Sequence, residues 1–157
     1  MSNVFAARYT PATGWASPEL LGANGDAATV VLGPDGTATV AWENSPAGNQ
    51  IMVTRASAAG VWSVPQAAGA GFGPQLGRDA DGNVTVAWLS NPGVRSVMSA
   101  RWPASGALGS AAVIESDPAA PTGWVAGGLA VAGNGHAAAV WTEGAAPNAV
   151  PWATVFR

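Results

Sequence analysis

Apolar residues in this chain come in short runs that fill both strand faces rather than in helical stripes. Val4, Phe5, Ala6 and Ala7 form one such run, and Ile51, Met52 and Val53 another. The runs are separated by turn formers such as Pro34-Asp35-Gly36 and Ala80-Asp81-Gly82, so they read as short strands closed by tight hairpins. A half-solvated strand alternates apolar with polar residues, whereas a strand apolar on both faces is covered on both. The pattern therefore predicts stacked antiparallel sheets, with no helix longer than about two turns between Val4 and Arg157. Plentiful alanine and glycine suit a close approach of sheet to sheet.

The strands repeat. Asp35-Gly36-Thr37-Ala38-Thr39-Val40-Ala41-Trp42 returns as Asp81-Gly82-Asn83-Val84-Thr85-Val86-Ala87-Trp88, and more loosely as Asn134-Gly135-His136-Ala137-Ala138-Ala139-Val140-Trp141. The tryptophans step by 46 and then 53 residues, and the glycines of the turns step with them. A second element carries Arg8, Arg55 and Arg101, spaced by 47 and 46 residues, and a further copy closes the chain at Ala153-Thr154-Val155-Phe156-Arg157. A third, Gly14-Trp15-Ala16-Ser17-Pro18, recurs as Val61-Trp62-Ser63-Val64-Pro65 and weakly at Ala107-Leu108-Gly109-Ser110. With a fourth strand such as Gly73 to Asp79, each copy offers a four-stranded meander. Cut at the arginine strand, the repeats run 4–50, 51–96 and 97–149, with an extra strand at 150–157, all within a single repeat domain.

Four strands per repeat, with a tryptophan ending one of them, are general cues of β-propeller blades. The segment Ala7-Arg8-Tyr9-Thr10-Pro11-Ala12-Thr13-Gly14-Trp15, together with Pro74-Gln75-Leu76 through Trp88, resembles a Trp-rich propeller repeat of secreted bacterial surface proteins. The resemblance implies an all-β fold of about three propeller-type blades, a secreted or cell-surface location, and no catalytic motif. The third copy departs from it, with Gly127-Gly128 in place of Pro-Gln and Ala132 in place of the Asp before the turn. Three blades do not close a ring of four to eight. The expectation is that oligomerisation completes it, the C-terminal strands of one chain joining N-terminal strands of another in a six-bladed homodimer. A piece of a longer propeller and an open, filament-forming stack are the alternatives.

Composition narrows the chemistry. Among 157 residues, 48% are hydrophobic and 10% charged, with six basic and nine acidic groups and a net charge of −3. That is enough to bury a core. No basic cluster tracks phosphates, so nucleic acid is not an expected partner. No cysteine is present, which removes disulfides, thiolate nucleophiles and Cys-based zinc sites. Met1 to Arg8 lacks the form of a signal peptide, and no apolar stretch approaches membrane-spanning length, so the chain reads as soluble without membrane insertion.

Asp79-Ala80-Asp81-Gly82-Asn83-Val84-Thr85 resembles a calcium loop and the Asp-box turn of sialidase-like propellers. The other copies lose the first carboxylate and no closing glutamate follows, so a hairpin turn is the simpler reading and neither metal nor cofactor is expected. His136 is the sole histidine and occupies a turn position equivalent to Thr37 and Asn83. Ser17, Ser63 and Ser110 recur without a nucleophile elbow. Glu43 and Glu143 lie beyond repeat tryptophans on different copies, unlike a glycosidase pair. No enzyme is expected.

Eight tryptophans remain. Trp42, Trp88 and Trp141 suit packing between copies, with an N–H able to find a carbonyl, whereas Trp102, Trp124 and Trp152 break the repeat. Aromatic planes with arginine donors beside them suit sugars, and the candidate carbohydrate-binding set is Tyr9, Trp15, Trp62, Trp102, Arg8, Arg55 and Arg101. The functional expectation is a non-catalytic, multivalent lectin-like propeller gaining avidity for glycans. The alternative is a structural module that assembles with itself and has no small ligand.

Overall fold

The structure, a computed structural model, describes residues 2–90, 96–116, 128–143 and 150–156. The expectation of an all-β chain holds. Fourteen strands follow one another among the described residues: β1 (Val4–Ala6), β2 (Tyr9–Thr10), β3 (Gly14–Trp15), β4 (Glu19–Gly22), β5 (Gly25–Leu32), β6 (Ala38–Asn44), β7 (Gln50–Ala56), β8 (Gln66–Arg78), β9 (Val84–Ser90), β10 (Ser96–Trp102), β11 (Ala112–Ser116), β12 (Gly128–Val131), β13 (Ala137–Glu143) and β14 (Val150–Phe156). Among the described residues the one helical piece is a 3-10 turn at Ser45–Ala47.

β5 to β11 form one seven-stranded antiparallel sheet in chain order. β8 changes partner halfway, residues 66–70 pairing with β7 and residues 71–78 with β9. The sheet is thus two four-stranded meanders sharing one long strand, and it folds back so that β8 also packs on β5 and β6. Before it, β1 pairs with β4, with a hairpin of β2 and β3 at their end. After it, β12, β13 and β14 make a three-stranded sheet. Each four-stranded meander begins at β5 or midway along β8, so a cut at the arginine strand falls between its second and third strands.

The predicted turns recur with one geometry. The amides of Gly36, Gly82 and Gly135 donate to the carbonyls of Gly33, Asp79 and Ala132, and the three glycines share φ of 80°, 86° and 84°. That left-handed conformation is strained for a residue bearing a Cβ, which is why glycine holds the place in every copy. Ala153 to Phe156 pairs within its own chain, along β13 from Ala137 to Val140.

Packing rests on the tryptophans. Trp42 and Trp88 are each 1% exposed, and Trp141 is buried with Val97 and Ala139. Each of the first two indoles lies on a glycine pair at the passage into its own meander: a Cβ at Gly22 or Gly25 would collide with Trp42, and one at Gly69 or Gly71 with Trp88. Among the described residues the Nε1 atoms of Trp42 and Trp88 find no acceptor, contrary to the carbonyl partner expected of them. The paired glycines admit the ring as a flat apolar plate, at the cost of its hydrogen bond.

Substituting Gly71 with Ala places a methyl against the Leu89 carbonyl and the Trp88 ring. A stability loss of about 1–3 kcal/mol is expected from overpacking, read as a lower urea midpoint at unchanged m-value.

Candidate functional site

The four-stranded meanders are joined at one end by charged groups. β1 and β7 deliver Arg8 and Arg55 just beyond or at their last residues. Arg8 donates from its two terminal nitrogens to the carbonyls of Ala58 (3.1 Å) and Ser57 (3.3 Å), in the turn after β7. Arg55 makes the same reach one repeat on, donating to the carbonyls of Pro103 (2.7 Å) and Trp102 (3.1 Å), and through Nε to the Thr39 hydroxyl. Its guanidinium carbon stands 4.6 Å from the centre of the Trp102 ring. Each arginine thus clamps the turn of the following meander, a use that suits its planar fork of donors. Burial, with the like charge of Arg78 beside it, lowers the Arg55 pKa from its usual range, and the guanidinium remains charged.

Arg101 departs from the pattern. It ends in an ion pair with Asp79 (2.8 Å), and its own side chain is 51% exposed while that of Asp79 is 3%. Asp79 also accepts from the Asn83 amide and side chain, both at 2.8 Å. Burial raises the Asp79 pKa, but the Asn83 hydrogen bonds and the Arg101 charge outweigh it and hold the carboxyl below its usual value. In the loop that resembles a calcium site, this carboxylate is occupied by protein donors. A second pair, Arg78 with Asp35 at 3.4 Å, bridges the two meanders. A cavity of about 80 Å3 lies there, lined by Asp35, Thr39, Arg55, Arg78 and Asp81. The Thr37 hydroxyl and amide hold the Asp35 carboxyl below its usual pKa. Sequence reasoning missed Arg78, whose signal was an arginine placed directly before an Asp-containing turn.

The seven candidate sugar contacts do not converge. Tyr9 and Trp15 meet across the β2–β3 hairpin, with ring centroids 5.5 Å apart at 60°, and are 55% and 72% exposed. Trp62 is half-buried against Val4, Val40 and Trp42. Trp102 is 4% exposed, donates to the Gly106 carbonyl and has Arg55 over its ring, so it offers no free platform. Arg8 and Arg55 spend donors on backbone carbonyls.

Other candidates resolve simply. His136 is exposed at its turn, its amide bonded to the Asn134 side chain. Glu43 accepts from the Gly73 amide at 2.6 Å, joining the two meanders. Ser63 stands where Ala16 and Gly109 stand, since all three amides donate to the carbonyl of the repeat arginine, so the serines do not share one place. Trp124 and Arg157 lie outside the described residues. No family model matches the chain, and no curated protein is significantly similar to it.

Two outcomes are expected. Arg55→Lys keeps the charge but loses the fork, and should cost about 1.5–3 kcal/mol, the worth of a charged hydrogen bond, in chemical denaturation. A carboxyl whose folded pKa is depressed contributes stability present above its unfolded pKa, and that stability is lost as pH falls through the folded value. Wild-type stability should therefore decline as pH drops below about 4, the unfolded Asp pKa. Asp79→Asn should flatten that decline in melting temperatures measured from pH 7 to pH 2.

Proposed function

We propose that the chain is a non-catalytic, propeller-type module that assembles with copies of itself into a closed ring. One observation carries this reading: positions that are buried between meanders in the middle of the chain are exposed on the edge strand β5 and in the last sheet. Val53 and Ala153 hold the same ladder place, opposite Ala41 and Val140, yet Val53 is 1% exposed and Ala153 is open to water. Ala41, Ala87 and Val140 are likewise equivalent, at 0%, 4% and 48%. On the opposite side, Leu76 of β8 is 9% exposed and its equivalent on β5, Val30, is 61%.

The two open faces are the two halves of a contact that the chain already makes between its own meanders. Val140 and Ala153 lie on the half that covers a following tryptophan face, whereas Val30 lies on the tryptophan face itself. One half on each end is a heterologous, head-to-tail arrangement, which closes if the rotation fits and otherwise runs on as a filament. With about three blades per chain, a homodimer makes a six-bladed ring, within the four to eight of propellers. Leaving valines of both faces in water costs on the order of 25 cal/mol per Å2 of apolar area that association removes.

A second reading, multivalent carbohydrate binding, is favoured by the exposed Tyr9–Trp15 pair. An indole offers an apolar plane to a sugar's C–H face, and a ring of such sites gains avidity on a glycan-coated surface.

Light scattering should give an even multiple of the chain mass. Val30→Lys and Val140→Lys should each reduce it to the monomer, and mixing the two variants should restore a dimer, because one unaltered contact survives in the mixed pair. A wild-type monomer, or variants of unchanged mass, would remove the assembly reading. For the second reading, a glycan array probed with wild type and Trp15→Ala is the measurement, and a signal lost in the variant is the supporting result.

A further inference from the structure

We infer that the β2–β3 hairpin, residues 9–15, is an intermolecular docking element that seats on the second four-stranded meander of another copy, under its Arg101. This rests on the assembly reading above and adds to it the residues that lock two copies together.

The repeat supplies the comparison. Tyr9 is equivalent to Ala56 and Trp102, which are 0% and 4% exposed, yet Tyr9 is 55% exposed. Trp15 is equivalent to Trp62, which packs with Leu21 against the cluster of Val4, Val40 and Trp42, and to Leu108, which packs with Ala68 against the cluster that holds Val53. Trp15 joins no such cluster among the described residues and is 72% exposed. The turn after the third strand is therefore an apolar plug wherever a meander precedes it, and the first such plug is left open to water.

The arginines give the other half. Arg8 and Arg55 each reach to carbonyls two and three residues past the next repeat arginine: Ser57 and Ala58 in one case, Pro103 and Ala104 in the other. By the same offset, the carbonyls that Arg101 would clamp are those of Thr10 and Pro11 in a second copy. Its side chain is half exposed, with one terminal nitrogen on Asp79. Trp15 then lands against Val97 and Ile114, since Ile114 holds the ladder place of Leu21 and Ala68.

In this arrangement the free edge of β1 meets β13 of the other copy. β14 already pairs there and is the repeat equivalent of β1, so one of the two must leave. Val4 of β1 is 5% exposed, whereas Val150 and Val155 of β14 are 52% and 63% exposed. The strand whose valines face water yields to the one anchored in a core.

The test is the dimer dissociation constant of the full chain by sedimentation equilibrium, with circular dichroism confirming the fold. Arg101→Ala and Trp15→Ala should each weaken association at least tenfold, about 1.4 kcal/mol by the usual conversion. Both residues are at least half exposed in the single chain, so the monomer should keep its spectrum, and Arg101→Gln serves as a second variant should Arg101→Ala perturb it. Removing residues 150–156 should leave the dimer intact or tighter, and a deletion variant found as monomer overturns the placement of β1 beside β13. Dissociation constants within twofold of wild type for both point variants overturn the docking role of the hairpin while leaving the assembly reading standing. A monomeric wild type overturns both. Glycan binding lost in Trp15→Ala at unchanged dimer affinity would assign the hairpin to a ligand instead.

Discussion

The fold depends on the seating of an indole on paired glycines. Trp42 lies across Gly22 and Gly25, and Trp88 across Gly69 and Gly71, so a Cβ at any of the four would strike the ring. Each glycine pair sits where one meander passes into the next, as between β4 and β5 and midway along β8. The contact therefore does two things at once: it buries the largest side chain available and sets how closely consecutive sheets approach. Its cost is visible in the indole nitrogens of Trp42 and Trp88, buried without an acceptor among the described residues. A net gain is still expected, because a fully buried indole removes roughly 150–250 Å2 from water, while an unmet donor costs about 1–3 kcal/mol.

Charge is sparse in this chain, and much of what is described holds sheets together. Arg8 and Arg55 reach forward to the turn of the next meander, Arg78 meets Asp35 across the same junction, and Glu43 receives the Gly73 amide. These contacts tie together turns that pack poorly by themselves, since a short polar loop has little apolar area to bury. An arginine suits the task because its fork serves two carbonyls at once while its flat face lies on an aromatic ring, as Arg55 does on Trp102.

Repetition makes exposure informative. A single exposed valine or tryptophan is ordinary on a protein surface. The same residue becomes a signal when its equivalents in other copies are buried, because those copies show what such a position contacts when a neighbour is present. Tyr9, Val30, Val140 and Ala153 all fall in this group, and they lie on the first hairpin, the edge strand β5 and the last sheet rather than between the central meanders.

Much of the fold was legible in the residues alone. The all-β class followed from apolar runs on both strand faces, and the three hairpin turns followed from Asp-Gly and Asn-Gly, because only glycine adopts a left-handed backbone freely. The core role of Trp42 and Trp88 followed from their recurrence. Other features belong to the tertiary structure. The change of partner within β8 falls between Gly69 and Gly71, but those glycines signal a close approach without saying which strand each half pairs with. Nor does the sequence separate Trp15, Trp62 and Trp102, three tryptophans near the same strand ends, of which one is open to water, one half-buried and one in the core. Local sequence determines whether a residue can form a strand or a turn, whereas its burial depends on the sheet that lies against it, and that neighbour comes from a part of the chain about one repeat away.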